Sequence, residues 1–197
     1  MRKAVTRVAF FVLLPLPLVA QNGAPARPTP KAELLGAYSF VHMEQLDMHG
    51  WNASVIGNLN KNLGIVADVS GHYNRESSSG LLGSTRSELT FHSFMVGPQV
   101  IERQRKWFSP FAHALFGFTR VNASVTASGA SAAARSVSND VSGFTMALGG
   151  GLDLTASDRF SYRLIQADYY LIRADRFKHE GVRLSAGILF RFGKRED

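Results

Sequence analysis

The residues best suited to chemistry in this chain do not converge on a reaction. His92 and Ser93 are adjacent, but neighbours in a strand point to opposite faces, so they cannot by themselves form a nucleophile and its base. His42, His72, His113 and His179 are scattered without the spacing of a metal-ligand set. There is no cysteine, hence no disulfide framework and no thiolate site. Gly149-Gly150-Gly151 lies in a strand pattern with no helix after it, which suits sheet curvature and packing rather than a phosphate cradle. What remains is a recurrent polar set on one face of successive extended segments: Asn52, Asp68, His72, Asp153, Asp168, Arg183 and Arg191, joined by Asn58, Thr145 and Gln166. On an enclosed face an isolated charge is costly, so these groups are expected to pair with one another. The site expectation is therefore a polar network, with no catalytic residue, cofactor or metal.

The elements that would position this set are strands. In the last one, Val182, Leu184, Ala186, Ile188, Phe190 and Phe192 share one face, while Arg183, Ser185, Gly187, Leu189 and Arg191 share the other. Trp51, Ala53, Val55, Gly57 and Leu59 alternate in the same way with Asn52, Ser54, Ile56, Asn58 and Asn60. Eight such runs follow from the pattern, at 33–42, 51–60, 63–73, 89–100, 108–121, 141–154, 160–172 and 182–192. In the seventh, Arg163 falls on the opposite parity from Gln166 and Asp168, so either a bulge intervenes or Arg163 sits at an interface. Lys61-Asn62 predicts a tight hairpin. Connections alternate between long (43–50, 74–88, 122–140, 173–181) and short (61–62, 101–107, 155–159), and the Ser- and Ala-rich stretch 122–140 reads as a mobile exposed loop.

The N-terminus carries Arg2, Lys3 and Arg7, then an apolar run from Val8 to Val19, then Ala20. That is the layout of a cleaved export signal over 1–20, and the run is shorter than the roughly 20 residues of a membrane-spanning helix. Residues 21–32, with Pro25, Pro28 and Pro30, read as an extended lead-in, and 193–197 as a polar tail. Without 1–20 the basic residues drop from 22 to 19 against 15 acidic ones, so the net charge falls from +7 to +4. The basic residues are scattered rather than gathered on one face, which argues against nucleic acid.

Ser185, Gly187, Phe190 and Phe192 fill the pattern polar-x-Gly-x-x-aromatic-x-aromatic near the chain's end. With the export signal and repeated strands, the chain resembles the small OmpA-like and OmpX-like outer-membrane β-barrels of Gram-negative bacteria over about residues 33–192. The resemblance implies an all-β, eight-stranded antiparallel up-and-down transmembrane barrel in the outer membrane. It makes those four residues an assembly signal, with outer-membrane lipid, the barrel-assembly machinery and periplasmic chaperones as partners. Closure is required because unpaired backbone groups are costly in hydrocarbon, and at eight strands the interior is filled by side chains. Tyr38, Trp51, Tyr73, Trp107, Tyr162, Tyr169, Tyr170 and Phe192 are the candidates for interfacial aromatic girdles. The expected role is structural or surface interaction through the long loops, with an unidentified extracellular ligand. The alternatives are a narrow small-solute channel, a lipid A-modifying barrel enzyme, and a soluble periplasmic β-barrel or sandwich binding a small ligand. The last of these needs the greasy faces inside.

Overall fold

A computed structural model of the chain describes residues 29–194, apart from 44–45, 81–82, 106, 130–131 and 175–176. The expected signal peptide, residues 21–28 of the lead-in and 195–197 of the tail lie outside the described residues. Eight strands follow in chain order: β1 Ala32–Met43, β2 Leu46–Asn58, β3 Leu63–Gly80, β4 Gly83–Ile101, β5 Phe108–Gly129, β6 Ala132–Thr155, β7 Phe160–Ala174 and β8 Phe177–Phe192. Each pairs antiparallel with its sequence neighbours, and β1 pairs with β8 from Ala32↔Phe192 to Met43↔Gly181, which closes the barrel. Closure gives every spanning strand a partner on both sides, so no edge meets the surroundings over the paired length.

The alternation read from the sequence sets the two faces. Val55, Ile65, Phe94, Phe118, Phe144, Ile188 and Phe190 stand on the exposed outside. Asn52, Asp68, Ser93, Thr145, Asp168 and Arg183 are buried inside. A soluble barrel requires the reverse arrangement, and the outward apolar faces exclude that alternative. Bulky apolar side chains do enter the lumen in two layers. Leu35, Ile56, Val66, Leu115 and Leu189 fill it towards the short turns, and Val41, Met43, Met48, Phe91 and Ile172 fill it towards the long hairpins.

Two features differ from the sequence expectation, and a third decides between alternatives it left open. The segments expected as loops are largely strand: β3 and β4 stay paired to Gly80↔Gly83, and β5 and β6 pair as far as Gly129↔Ala132. The stretch 122–140 is thus a β-ribbon for most of its length. Its Ser, Thr and Val residues pair across the hairpin, as in Ser124↔Ser138 and Val125↔Val137, but with water on both sides they lack the apolar–polar contrast that marks a spanning strand. The β2–β3 connection spans 59–62 rather than two residues, because the Asn60 side chain accepts from the amides of Asn62 and Leu63 at 2.9 and 2.8 Å and closes the turn itself. In β7 the parity conflict is resolved by a bulge: pairing with β8 shifts between Arg163 and Gln166, Leu164 and Ile165 both face outward, and Arg163 and Gln166 both point into the lumen.

Candidate functional site

The lumen holds the densest polar chemistry, and it is built strand by strand. Asp68 on β3 and Asp168 on β7 lie on different walls, and Arg183 on β8 joins them: Nη1 donates to Asp68 Oδ1 at 3.0 Å and Nε to Asp168 Oδ2 at 2.9 Å. Arg183 is 0 % exposed. The second oxygen of Asp68 accepts from Asn52 at 2.7 Å and from Ser54 at 2.8 Å. Asp168 also accepts from Gln166 at 2.8 Å, and its other oxygen lies 2.8 Å from His113 Nε2. One turn closer to the short-turn end, Arg163 forks onto both oxygens of Asp153 at 2.8 and 3.0 Å and donates to Gln166 at 2.8 Å. Its guanidinium carbon lies 3.9 Å from the centre of the Phe111 ring. Such bidentate, charge-assisted geometry is what lets charges sit in a confined interior.

Both ends of this network are closed. At the short-turn end, Glu33 meets Arg103, which reaches in from the β4–β5 connection, and Arg191 at 3.4 Å; Asn58 donates to Glu33 at 2.9 Å. Arg103 also donates to the Lys61 carbonyl at 3.1 Å, so one turn is pinned beneath another. Towards the long hairpins, Tyr170 bonds Ser93, Ser93 lies 2.7 Å from Thr119, and Thr145 donates to Thr119 at 2.6 Å. His72 Nε2 lies 2.9 Å from Ser39 Oγ, which accepts from Ser185 at 3.0 Å. Beyond these comes the layer of Val41, Met43, Met48, Phe91 and Ile172. The Ser39–His72 pair has nucleophile-and-base chemistry in name, yet both residues are 0 % exposed and no substrate can reach them.

The outside is a continuous apolar band bordered by Tyr38, Trp51 and Tyr73 at one rim and Trp107, Tyr162 and Phe192 at the other. No protein-family model and no curated protein matches the chain. Among solved structures it is similar to Ail, the attachment invasion locus protein of Yersinia pestis. The identity is 20 %, with 83 % of this chain and 99 % of that chain covered and a TM-score of 0.53. It is also similar to Neisserial surface protein A, at 15 % identity over 82 % of this chain and 96 % of that one, with a TM-score of 0.54. The fold is that of the small eight-stranded outer-membrane barrels.

Within that barrel, Asn52, Asp68, His72, Asp153, Asp168 and Arg183 are all buried on the lumen side, and Arg191 reaches Glu33 at the short-turn mouth. Their charges fall into two groups bridged by Gln166, Asp68, Asp168 and Arg183 with Asn52, and Asp153 with Arg163, while Arg191 belongs to a third with Glu33 and Arg103. His72 belongs to the separate serine group. Of the closing-strand residues, Ser185 and Gly187 face the lumen, while Phe190 and Phe192 face outward. Tyr170 is a correction: expected in a girdle, it is 0 % exposed inside the barrel, as its parity beside Asp168 requires. Tyr169 takes the outward position. Arg103 carried no sequence signal, since a turn residue has no strand parity to reveal that it folds inward. Glu33, by contrast, shares the parity of the buried Leu35.

Above the hairpin-side rim, charges pair in the open. Arg120 forks onto Asp140 at 3.1 and 2.6 Å, and its hydrogen bond holds the Asp140 carboxyl below the usual value. The hydrogen bond from Lys178 does the same to Glu180.

Proposed function

We propose that this protein is an exported outer-membrane barrel with a closed lumen and a structural and surface-interaction role, without catalysis or solute conduction. The observation that carries the reading is the sheet that outruns the barrel. β6 pairs with β7 only from Phe144 downward, and β2 pairs with β3 only up to Tyr73. Strands β3 to β6 therefore continue past the aromatic rim as a four-stranded antiparallel sheet, with unpaired edges along Asn74–Gly80 and Ala132–Gly143 among the described residues. Unpaired edges are the part of a sheet that another chain can join, and monomeric proteins normally blunt them. Val137, on the last ribbon, is 70 % exposed, which adds apolar contact area next to one edge. In this reading the long-hairpin end faces the cell exterior and the short turns face the periplasm. Ser185, Gly187, Phe190 and Phe192 serve as the signal read by the barrel-assembly machinery.

The test combines localisation with loss of the sheet. Membrane-extracted protein is expected to migrate differently on SDS gels unboiled and boiled, and protease added to intact cells is expected to cut only in the β3–β4 and β5–β6 hairpins. Replacing residues 124–138 by a short glycine linker is expected to keep the mobility shift while abolishing attachment of expressing cells to host-cell or matrix surfaces. A protein found in the soluble periplasmic fraction, without a mobility shift, would sink the reading.

A further inference from the structure

The charges of this barrel are distributed unevenly between its zones. In the lumen, Glu33, Asp68, Asp153 and Asp168 are matched by Arg103, Arg163, Arg183 and Arg191. Above the hairpin-side rim, Arg75 and Arg86 share Glu88, Arg120 holds Asp140, and Lys178 holds Glu180. The short-turn end is different. Lys31, Lys61, Arg105, Arg159 and Lys194 are exposed there, and none of them forms an ion pair among the described residues. Glu102 and Asp158 are the carboxylates at that end outside the lumen among the described residues. Five cations against two carboxylates leave +3 on this rim, most of the net +4 of the described residues.

The five cations are spaced around the perimeter. Lys31 precedes β1, Lys61 lies in the β2–β3 turn, Arg105 in the β4–β5 connection, Arg159 in the β6–β7 turn, and Lys194 follows β8. Backbone bonds tie these segments into a ring: Lys31 to Phe192 and Asn58, Asn62 to Ile101, Trp107 to Thr155, and Arg159 to Arg191. Gly193, at φ 67°, turns the chain against the Lys31 side chain, and Lys194 follows it. Just outward of the ring stand Trp107, 80 % exposed, with Tyr162 and Phe192. These side chains mark where hydrocarbon meets headgroup.

We propose that this basic ring binds the phosphate headgroups of anionic phospholipids in the leaflet at the short-turn end. The proposal rests on the outer-membrane reading. A free anion would need converging donors, whereas these cations are spread along the circumference at headgroup height, each able to meet a different lipid. Long Lys and Arg stems can lie along the barrel wall with their charged ends in the headgroup layer. Attraction to an anionic surface is additive over such residues and falls within a Debye length, so salt weakens it.

The two tryptophans, Trp51 at one rim and Trp107 at the other, provide the measurement. The full-length protein is refolded into mixed phosphatidylglycerol–phosphatidylcholine vesicles in which one lipid or the other is brominated, and tryptophan quenching reports which lipid is adjacent. In a Trp51→Phe background, Trp107 is expected to show phosphatidylglycerol enriched at least about fivefold over phosphatidylcholine. The enrichment is expected to fall towards unity in high salt and in the combined Lys31→Gln, Lys61→Gln, Arg105→Gln, Arg159→Gln and Lys194→Gln variant. In a Trp107→Phe background, Trp51 is expected to show no such preference. Equal quenching by the two lipids at Trp107, a preference that survives the five substitutions, or the same preference at Trp51 would each overturn the proposal. The mobility shift on unboiled gels is read on the same samples. Strong quenching by both lipids with a normal shift refutes the ring alone, and absence of quenching and shift refutes the membrane reading with it.

Discussion

Arg183 is the residue on which the lumen depends most. It joins carboxylates from β3 and β7, and nothing else inside can replace its charge between them. Arg183→Ala is expected to cost about 3–5 kcal/mol in urea unfolding from lipid vesicles, because Asp68 and Asp168 are left buried without a counter-charge. Neutralising all three together, as Arg183→Met with Asp68→Asn and Asp168→Asn, is expected to recover most of that loss, and a triple variant as unstable as the single one would contradict the argument. Tyr170→Phe is expected to cost about 1–2 kcal/mol by the same measurement, since the Ser93 hydroxyl loses a buried partner. Much of this was legible beforehand. Asp68, Asp168 and Arg183 share lumen parity, and their need for partners follows from burial alone. That Asp153 would meet Arg163 was not legible, because the bulge shifts the β6–β7 register that makes them partners, and that Tyr170 would cap the serine–threonine cluster was not legible, because partners on non-adjacent strands depend on the stagger around the barrel.

At the scale of elements, the bulge in β7 is the most informative feature. Parity along the strand conflicts at Arg163, and two consecutive outward residues, Leu164 and Ile165, resolve it. Deleting Leu164 should then remove the bulge while leaving Arg163, Gln166 and Asp168 all inward. That variant is expected to fold and keep its gel shift, whereas deleting Ile188 from the regular β8 is expected to abolish it, because every side chain on one side of the cut changes face. Failure of the Leu164 deletion to fold would mean that the bulge is needed to close the barrel. Gly149 poses a different constraint. A Cβ there would lie 2.2 Å from the Ala167 carbonyl oxygen and 2.3 Å from the Asp168 carboxylate, so Gly149→Val is expected to abolish or strongly slow folding, as measured by the fraction of shifted band on refolding. Strand ends were the least legible part of the sequence. Spanning segments announce themselves by contrast between lipid and lumen, and β3 to β6 lose that contrast where both faces enter water.

For the whole molecule, the lumen is closed at three levels: the Glu33–Arg103 group, the Arg183 network and the apolar layer around Phe91 and Met48. Planar-bilayer recordings are therefore expected to show no unitary conductance, and neither Arg103→Ala nor Phe91→Ala alone is expected to open one; stable channels in the unmodified protein would overturn the closed-scaffold reading. By itself the sequence determined the number of strands, the face on which most strand side chains stand and the polar network of the interior. Those follow from a period of two that each segment carries locally, and from the rule that one face must suit lipid. Only the tertiary structure decided which guanidinium meets which carboxylate, that Arg103 folds inward, and how far β3 to β6 rise beyond the rim. Those properties arise from the shear between neighbouring strands and from closure of β8 onto β1, which no single segment encodes.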